Sequence, residues 1–149
     1  MINNKGQIAG TSMPIFDGLY GQNGVLRSGN TLVPFTPVPV DEIDVSDLND
    51  AGVVVGYSGS NGFYYDGTYH QIGTFGGGFS IGSGVNAYNE IVGRTSDSAE
   101  NLLPFLLKDG SMYNLAANLQ SQLSSYIQLQ IAWDINDRGV RALSCSGHF

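Results

Sequence analysis

The chain has 149 residues with a formal net charge of −7, and 21 of its residues are glycine. One domain is expected at this length, and 42% hydrophobic with only 13% charged residues excludes a disordered chain and argues against a helical bundle. The scattered basic residues argue against nucleic acid or an anionic membrane as a partner. The lone cysteine excludes an internal disulfide, and no apolar stretch approaches the roughly 20 residues of a membrane helix.

Four short segments share one pattern: an apolar residue, Asn, two variable residues, Gly or Asn, any residue, and an apolar residue. The leading asparagines are Asn3, Asn49, Asn86 and Asn136. An Asn side chain can bond the backbone two residues on and start a turn, and Gly or Asn at the fourth position tolerates positive φ. Each segment therefore predicts a tight turn between antiparallel strands. Their spacing of roughly 40 to 50 residues is typical of repeat proteins.

The strand predicted after three of these turns carries a glycine at the same place, at Gly10, Gly56 and Gly93. Glycine inside a strand usually marks a close backbone approach, so we expect one repeat to pack tightly on the next there. A second hairpin follows in each repeat, at Asp66-Gly67 and Asp109-Gly110 and more loosely around Gly29.

Two hairpins in each unit predict an all-β, propeller-like array of about three to four antiparallel blades. The units of this single repeat domain, 1–149, are approximately 1–47, 48–84 and 85–134, with a partial unit at 135–149.

Two stretches interrupt the strand pattern. The proline-rich segment 34–39 predicts an edge strand or a linker, because proline cannot donate to a strand ladder. The segment 115–130 predicts one short helix near the C-terminal end, since four apolar residues recur every four positions and would share one face. These residues are Leu115, Leu119, Leu123 and Ile127.

These motifs together resemble the HAF family, a probable extracellular repeat. The resemblance covers most of the chain, at 2–10, 48–56, 72–77 and 135–140, and His148-Phe149 lies near the family's His-Ala-Phe. It implies a bacterial β-rich protein that is secreted or on the cell surface, without an established reaction or catalytic residues, although no apolar export signal opens this chain. Three units and a fragment are too few to close a ring. We therefore expect either the tail of a longer array or a homo-oligomer that buries the open edges.

Catalytic candidates are few. Ser80 lies in a Gly-x-Ser-x-Gly segment, but a strand follows it where a nucleophile elbow requires a helix, so a packing serine is favoured. A serine triad on a β scaffold stays open because triads are defined by geometry. Its members would come from Ser80 or Ser144 as nucleophile, His70 or His148 as base, and Asp66, Asp134 or Asp137 as the orienting carboxylate.

Ligand-binding candidates are the tyrosines on or near strands, since aromatic faces with polar tips suit sugars and protein partners. They are Tyr57, Tyr64, Tyr65 and Tyr69, and the alternative for them is ordinary β core. Trp133 is expected in the core. The acidic segment with Asp41, Asp44 and Asp47 could hold Ca²⁺, but a solvated loop is favoured, and neither a metal nor a cofactor is predicted.

The leading functional prediction is a non-catalytic extracellular recognition or structural module that binds a glycan or a protein. The alternative is a hydrolase acting on an ester, phosphoester or glycoside on the same scaffold.

Overall fold

The computed structural model describes residues 1–12, 22–36, 42–117, 119–122, 127–139 and 141–147. These residues form antiparallel sheets of strands that pair in chain order. The first sheet contains β1 (Ile8–Ser12), β2 (Asn23–Ser28) and β3 (Thr31–Pro34). The second contains β4 (Ile43–Leu48), β5 (Val54–Ser58), β6 (Asn61–Tyr65) and β7 (Tyr69–Gln71).

The third sheet contains β8 (Gly76–Val85), β9 (Ile91–Asp97), β10 (Leu102–Lys108) and β11 (Ser111–Asn114), and the fourth contains β12 (Ile127–Ile135) and β13 (Arg141–Gly147). Every strand pairs with its neighbour in the chain, so each sheet is a simple meander. The prediction of an all-β chain is confirmed.

The four Asn-led segments are equivalent turns, as predicted. In each, the NH of the fourth residue donates to the Asn carbonyl, over 2.9 to 3.1 Å. The Asn side-chain oxygen accepts the NH two residues on; for Asn49 it also accepts the NH of Val53, at 2.9 Å. The fourth residue has positive φ in all of them, including the non-glycine Asn89 at 61°. One local arrangement of hydrogen bonds thus recurs through the chain.

Each turn lies between the first two strands of a sheet rather than at its start. The turns join β4 to β5, β8 to β9 and β12 to β13, so the sequence units divide the first hairpin of these sheets. In the first sheet the turn follows Met1 and Ile2, which pair with β1 through Met1–Ala9 hydrogen bonds and the Ile2–Ile8 bridge. By this alignment β1 corresponds to β5 and β9.

The core is layered between successive sheets. The layer between the first and second sheets contains Ala9, Phe35, Ile43, Leu48, Val54 and Phe63. The next layer contains Val53, Val55, Ile72, Val85, Ile91 and Phe105, and the last contains Val92, Leu106, Ala132 and Ile135. Residues alternate between the two faces of a strand, so neighbours such as Val54 and Val55 serve different layers.

Two of the three recurring strand glycines make the expected close approach. A Cβ on Gly56 would collide with the Asp44 carbonyl oxygen, and one on Gly93 with that of Ile81. Both carbonyls lie in the preceding strand of the same sheet, next to a β-bulge. Because the sequence units divide the first hairpin of each sheet, both contacts also join one unit to the unit before it. Gly10 has no atom within 4 Å of its Cβ position.

Among the described residues, the helix predicted over 115–130 is wrong. Residues 127–130 belong to strand β12, 115–117 form turns, and the helical part of this described portion is a single 3₁₀ turn at Gln120–Gln122. Bulges in β12 shift its alternation, so Ile131 and Ile135 are four residues apart without sharing a face. Leu123 lies outside the described residues. Of the proline-rich segment, Pro34 ends the edge strand β3, and 37–39 also lie outside them.

A candidate binding site at the inner strands

The first strands of the second, third and fourth sheets, β4, β8 and β12, lie side by side, with β8 contacting both of the others. Residues at equivalent positions in these strands line one cavity of about 270 Å³, which we call the inner-strand cavity. Two positions recur in the lining. Three residues before the leading Asn, they are Ser46, Ser83 and Trp133; five residues before it, they are Asp44, Ile81 and Ile131. Eight residues after Asn49 and Asn86 stand Tyr57 and Arg94, which complete the lining.

The inner-strand cavity combines two aromatic rings with a cation. Trp133 is 57% exposed, so the expectation that it lies in the core is wrong. Tyr57 is partly buried; this desolvation, with the Asp44 and Glu42 carboxylates nearby, raises its pKa above the ordinary value near 10. Tyr57 therefore keeps its hydroxyl proton at neutral pH and can donate a hydrogen bond.

Arg94 is held by packing rather than by an ion pair. Its guanidinium carbon lies 5.1 Å from the centroid of the Phe79 ring, a cation–π arrangement. Its Nε is buried with no hydrogen-bond partner. The described residues form two ion pairs, His70 with Asp66 and Lys108 with Glu90, and Arg94 is in neither. The cavity thus contains a guanidinium whose charge no described carboxylate neutralises at contact distance.

The four candidate tyrosines separate into different environments. Tyr57 lines the inner-strand cavity. Tyr65 stacks on Phe35, with centroids 5.1 Å apart, and Tyr69 stacks on Phe63 at 5.3 Å, so both pack against the first core layer. Tyr64 stacks on His70 with ring centroids 4.5 Å apart. It lines a second cavity at the end of the sheets that carries the Asn-led turns, which we call the turn end. The structure therefore does not bring the four together.

Ser80 is fully buried and both of its hydrogen-bonding roles are occupied. Its Oγ accepts the NH of Gly62 at 2.9 Å and donates to the carbonyl of Ile72 at 3.1 Å. Gly62 and Ile72 belong to the second sheet and its exit, whereas Ser80 is on β8 of the third. The hydroxyl thus ties two sheets together and does not reach solvent.

We expect Ser80→Ala to lower the free energy of unfolding by about 2 kcal/mol, because it leaves the buried Gly62 NH without a partner. Urea denaturation measures this loss. Ser111→Ala, at an exposed position on β11, is the control and should change stability by less than about 0.5 kcal/mol. An unchanged denaturation midpoint in Ser80→Ala would show that the hydrogen bonds of Ser80 between the two sheets do not stabilise the fold.

The other catalytic candidates do not complete a triad in the described residues. His70 Nε2 lies 3.1 Å from Asp66 Oδ1, so the predicted base and orienting carboxylate do meet, at the exposed β6–β7 hairpin. Ser144 is partly buried on β13. Asp134 Oδ1 accepts the NH of Ile135, at 2.7 Å. His148 lies outside the described residues.

The acidic candidates have separate roles. Asp47 Oδ1 accepts the NH of Leu48 at 2.8 Å, and its Oδ2 accepts the NH of Val85 at 2.9 Å, which links β4 to β8. Asp44 lines the inner-strand cavity, and Asp41 lies outside the described residues. Within the described part of the chain, no three His, Cys, Asp or Glu side chains are grouped as metal ligands.

A larger and more open cavity lies at the turn end of the third and fourth sheets. Its volume is about 700 Å³, and its lining is mostly charged or polar: Tyr88, Asn89, Glu90, Lys108, Asp109, Asp137, Arg138 and Gly139. The Lys108 ammonium lies 2.6 Å from a Glu90 carboxylate oxygen, and this contact raises the pKa of Lys108. Of the two cations that line this cleft, Lys108 is thus already paired with Glu90.

Comparison of the chain with protein-family models, with curated proteins and with solved structures finds no match. No helix among the residues that the structure describes is both long and apolar enough to cross a membrane.

Sequence reasoning missed Arg94 and Trp133 as site residues. The signal was present in the spacing to the leading asparagines, which places Trp133 in register with Ser46 and Ser83, and Arg94 in register with Tyr57. Aligning the repeats position by position finds the cavity lining, whereas reading each aromatic residue by itself does not.

Proposed function

We propose that this protein is a non-catalytic extracellular recognition module that binds a glycan in the inner-strand cavity. The proposal includes the resemblance to HAF repeats and a propeller-like arrangement of the sheets. The observation that carries it is the convergence of equivalent positions from three sheets on one concave site with aromatic, cationic and hydroxyl groups.

The propeller-like arrangement is supported by the order of packing. Each sheet is an antiparallel meander, each covers the next through one apolar layer, and the first strands of the last three sheets lie together. In a radial array of four-stranded blades, the first strands surround a central channel. The inner-strand cavity corresponds to a sector of such a channel.

The lining suits a sugar. The rings of Tyr57 and Trp133 offer flat apolar faces to the C–H face of a sugar ring. The Asp44 carboxylate accepts hydroxyl protons, and Ser46, Ser83 and the Arg94 guanidinium supply further hydrogen-bonding groups. A volume of about 270 Å³ is near the lower limit for small-molecule sites, so we expect one sugar unit to enter rather than a long stretch of chain.

The cavity favours a glycan over the other candidates. A protein partner normally requires about 800 Å² of its surface to be covered, which a small concave site does not supply. A serine hydrolase requires an accessible nucleophile, and the Ser80 hydroxyl is buried between two sheets. The burial of Ser80 therefore favours a binding module over a hydrolase that uses this serine.

The test is binding of the purified chain to a glycan array, followed by titration calorimetry with the best sugar. Trp133→Ala should weaken binding about tenfold or more, because stacking on an aromatic ring contributes roughly 1.4 kcal/mol. Tyr113→Ala is the matched control: Tyr113 is 52% exposed on β11, it does not line the cavity, and its loss should leave affinity unchanged.

Three outcomes would overturn the proposal. The first is that no sugar on the array retains the wild-type chain. The second is equal weakening of binding by Trp133→Ala and Tyr113→Ala, which would indicate a nonspecific aromatic effect. The third is loss of binding in Tyr64→Ala but not in Trp133→Ala, which would place the glycan at the end of the sheets that carries the Asn-led turns.

A further inference from the structure

In the part of the chain that the structure describes, the first sheet has one face covered by the second sheet and one face on which no other sheet packs. Ala9 and Leu26 point toward the second sheet and belong to the first core layer. On the opposite side, strand pairing aligns Ile2, Ile8, Arg27 and Leu32 in one row across the sheet. Ile2, Ile8 and Leu32 are 70%, 42% and 59% exposed. We call this side, with the neighbouring Val25, the outer face of the first sheet.

The outer face repeats positions that are buried elsewhere in the chain. Ile8 stands five residues after its leading Asn, as do Val54 and Ile91, which are 0% and 2% exposed. Those two residues are buried because the preceding sheet covers them. The residue directly before Asn follows the same rule, since Leu48 and Val85 are buried where Ile2 is exposed.

The cross-strand partners extend the correspondence. Val25 pairs with Gly10 as Phe63 pairs with Gly56 and Phe105 with Gly93. Both phenylalanines are 0% exposed in the layers between sheets. Residue for residue, the outer face is thus the face that the second and third sheets use to receive a preceding sheet.

A hydrogen-bond ladder between the turns has an open position at the same place. The side-chain amide of Asn3 donates to the carbonyl of Asn49 at 2.8 Å, that of Asn49 to Asn86 at 2.8 Å, and that of Asn86 to Asn136 at 3.3 Å. In the described residues no Asn side chain donates in this way to the carbonyl of Asn3. A further sheet with its own Asn-led turn would supply that donor.

We propose that the outer face of the first sheet binds the fourth sheet of a second copy of this chain. Within one chain, each of the first three sheets covers a face of this kind on the sheet that follows it. The fourth sheet, β12–β13, is the next in this order, and it carries the Asn-led turn at Asn136. The contact is head-to-tail, because the two surfaces that meet are different. Head-to-tail contacts form a ring where the rotation between copies closes and a filament where it does not. Two copies bring together eight sheets, which is within the size range of closed radial arrays.

Sedimentation velocity of the purified chain across a wide concentration range tests this proposal. The wild-type chain should sediment as an assembly. Leu32→Lys should sediment as a monomer, because it replaces an apolar contact residue by a second positive charge beside Arg27. Thr31→Lys is the control: Thr31 is also exposed on β3 but points to the other side of the sheet, so this variant should assemble like the wild type.

Mixing establishes which surfaces meet. Leu32→Lys keeps its own fourth sheet, so tagged Leu32→Lys should form mixed complexes with the untagged wild-type chain. Their absence would indicate a contact between two outer faces and overturn the proposal. A wild-type monomer at every concentration, or an assembly that Leu32→Lys leaves intact, would overturn it equally.

The same experiments are independent of the glycan proposal. Near-ultraviolet circular dichroism checks that Leu32→Lys is folded, and Leu32→Gln replaces it if the lysine variant does not fold. No sugar is present in these measurements, so their result does not depend on whether the inner-strand cavity binds one.

Discussion

Replacing Asn49 by Ala should lower the free energy of unfolding by about 3 to 5 kcal/mol. Asn49 is 7% exposed, and its side-chain oxygen accepts the NH groups of Ala51 and Val53. Its amide donates to the Asn86 carbonyl and to the Asn89 side chain, both at 2.8 Å. Each lost bond costs about 1 kcal/mol net, and leaving the buried Val53 NH without a partner costs about 1 to 3 kcal/mol more.

Thermal and urea denaturation measure this effect, which corresponds to a fall of roughly 10 °C in Tm for a domain of this size. Asn61→Ala is the control, since Asn61 is exposed at the start of β6 and should change stability by less than about 0.5 kcal/mol. If Asn49→Ala lowers the free energy of unfolding by only about 1 kcal/mol, the hydrogen bonds of the Asn side chains are a consequence of the fold and contribute little to its stability.

The turns could be predicted from the sequence because their chemistry is local. An Asn side chain that accepts the NH groups two and four residues on, with Gly or Asn at positive φ, needs no other part of the chain. The links between turns could not be predicted in the same way. The contact of Asn3 with the Asn49 carbonyl depends on how two sheets pack, although both residues were identified as members of one repeated motif.

The helix prediction failed because apolar residues at four-residue spacing need not belong to one element. Of the residues that suggested a helical face, Leu115 lies in a turn and Ile127 begins the strand β12. Bulges between Leu129 and Ile131 and between Ala132 and Asp134 also disturb the two-residue alternation that would indicate a strand. The pairing of β12 with β13 is a tertiary contact, which the sequence of the segment alone does not predict.

The candidate site was only partly predictable for a related reason. Tyr57 and Tyr65 are both strand tyrosines, yet one lines the inner-strand cavity and the other stacks on Phe35 in the core layer. Their different environments follow from which strand and which face of a sheet each occupies. That assignment becomes possible only after the strands are placed in register with the leading asparagines.

Substituting Gly93 by Ala should lower the free energy of unfolding by about 3 kcal/mol. The added Cβ would collide with the carbonyl oxygen of Ile81 and lie 2.9 Å from Cε1 of Phe105. Phe105 is 0% exposed in a core layer, and the carbonyl belongs to the neighbouring strand β8, so neither can move aside without a backbone shift. Overpacking of this kind costs about 1 to 3 kcal/mol, and more where the backbone is involved.

Gly10→Ala is a matched control within the same molecule, because Gly10 occupies the same repeat position with no atom within 4 Å of its Cβ position. Alanine there should be neutral, or should stabilise the fold by about 0.5 kcal/mol through the reduced freedom of the unfolded chain. Urea denaturation of the two variants therefore separates two reasons for a recurring glycine. Equal losses at Gly93 and Gly10 would mean that the position requires glycine for its backbone conformation, whereas a loss confined to Gly93 would identify the close approach of β8 as the cause.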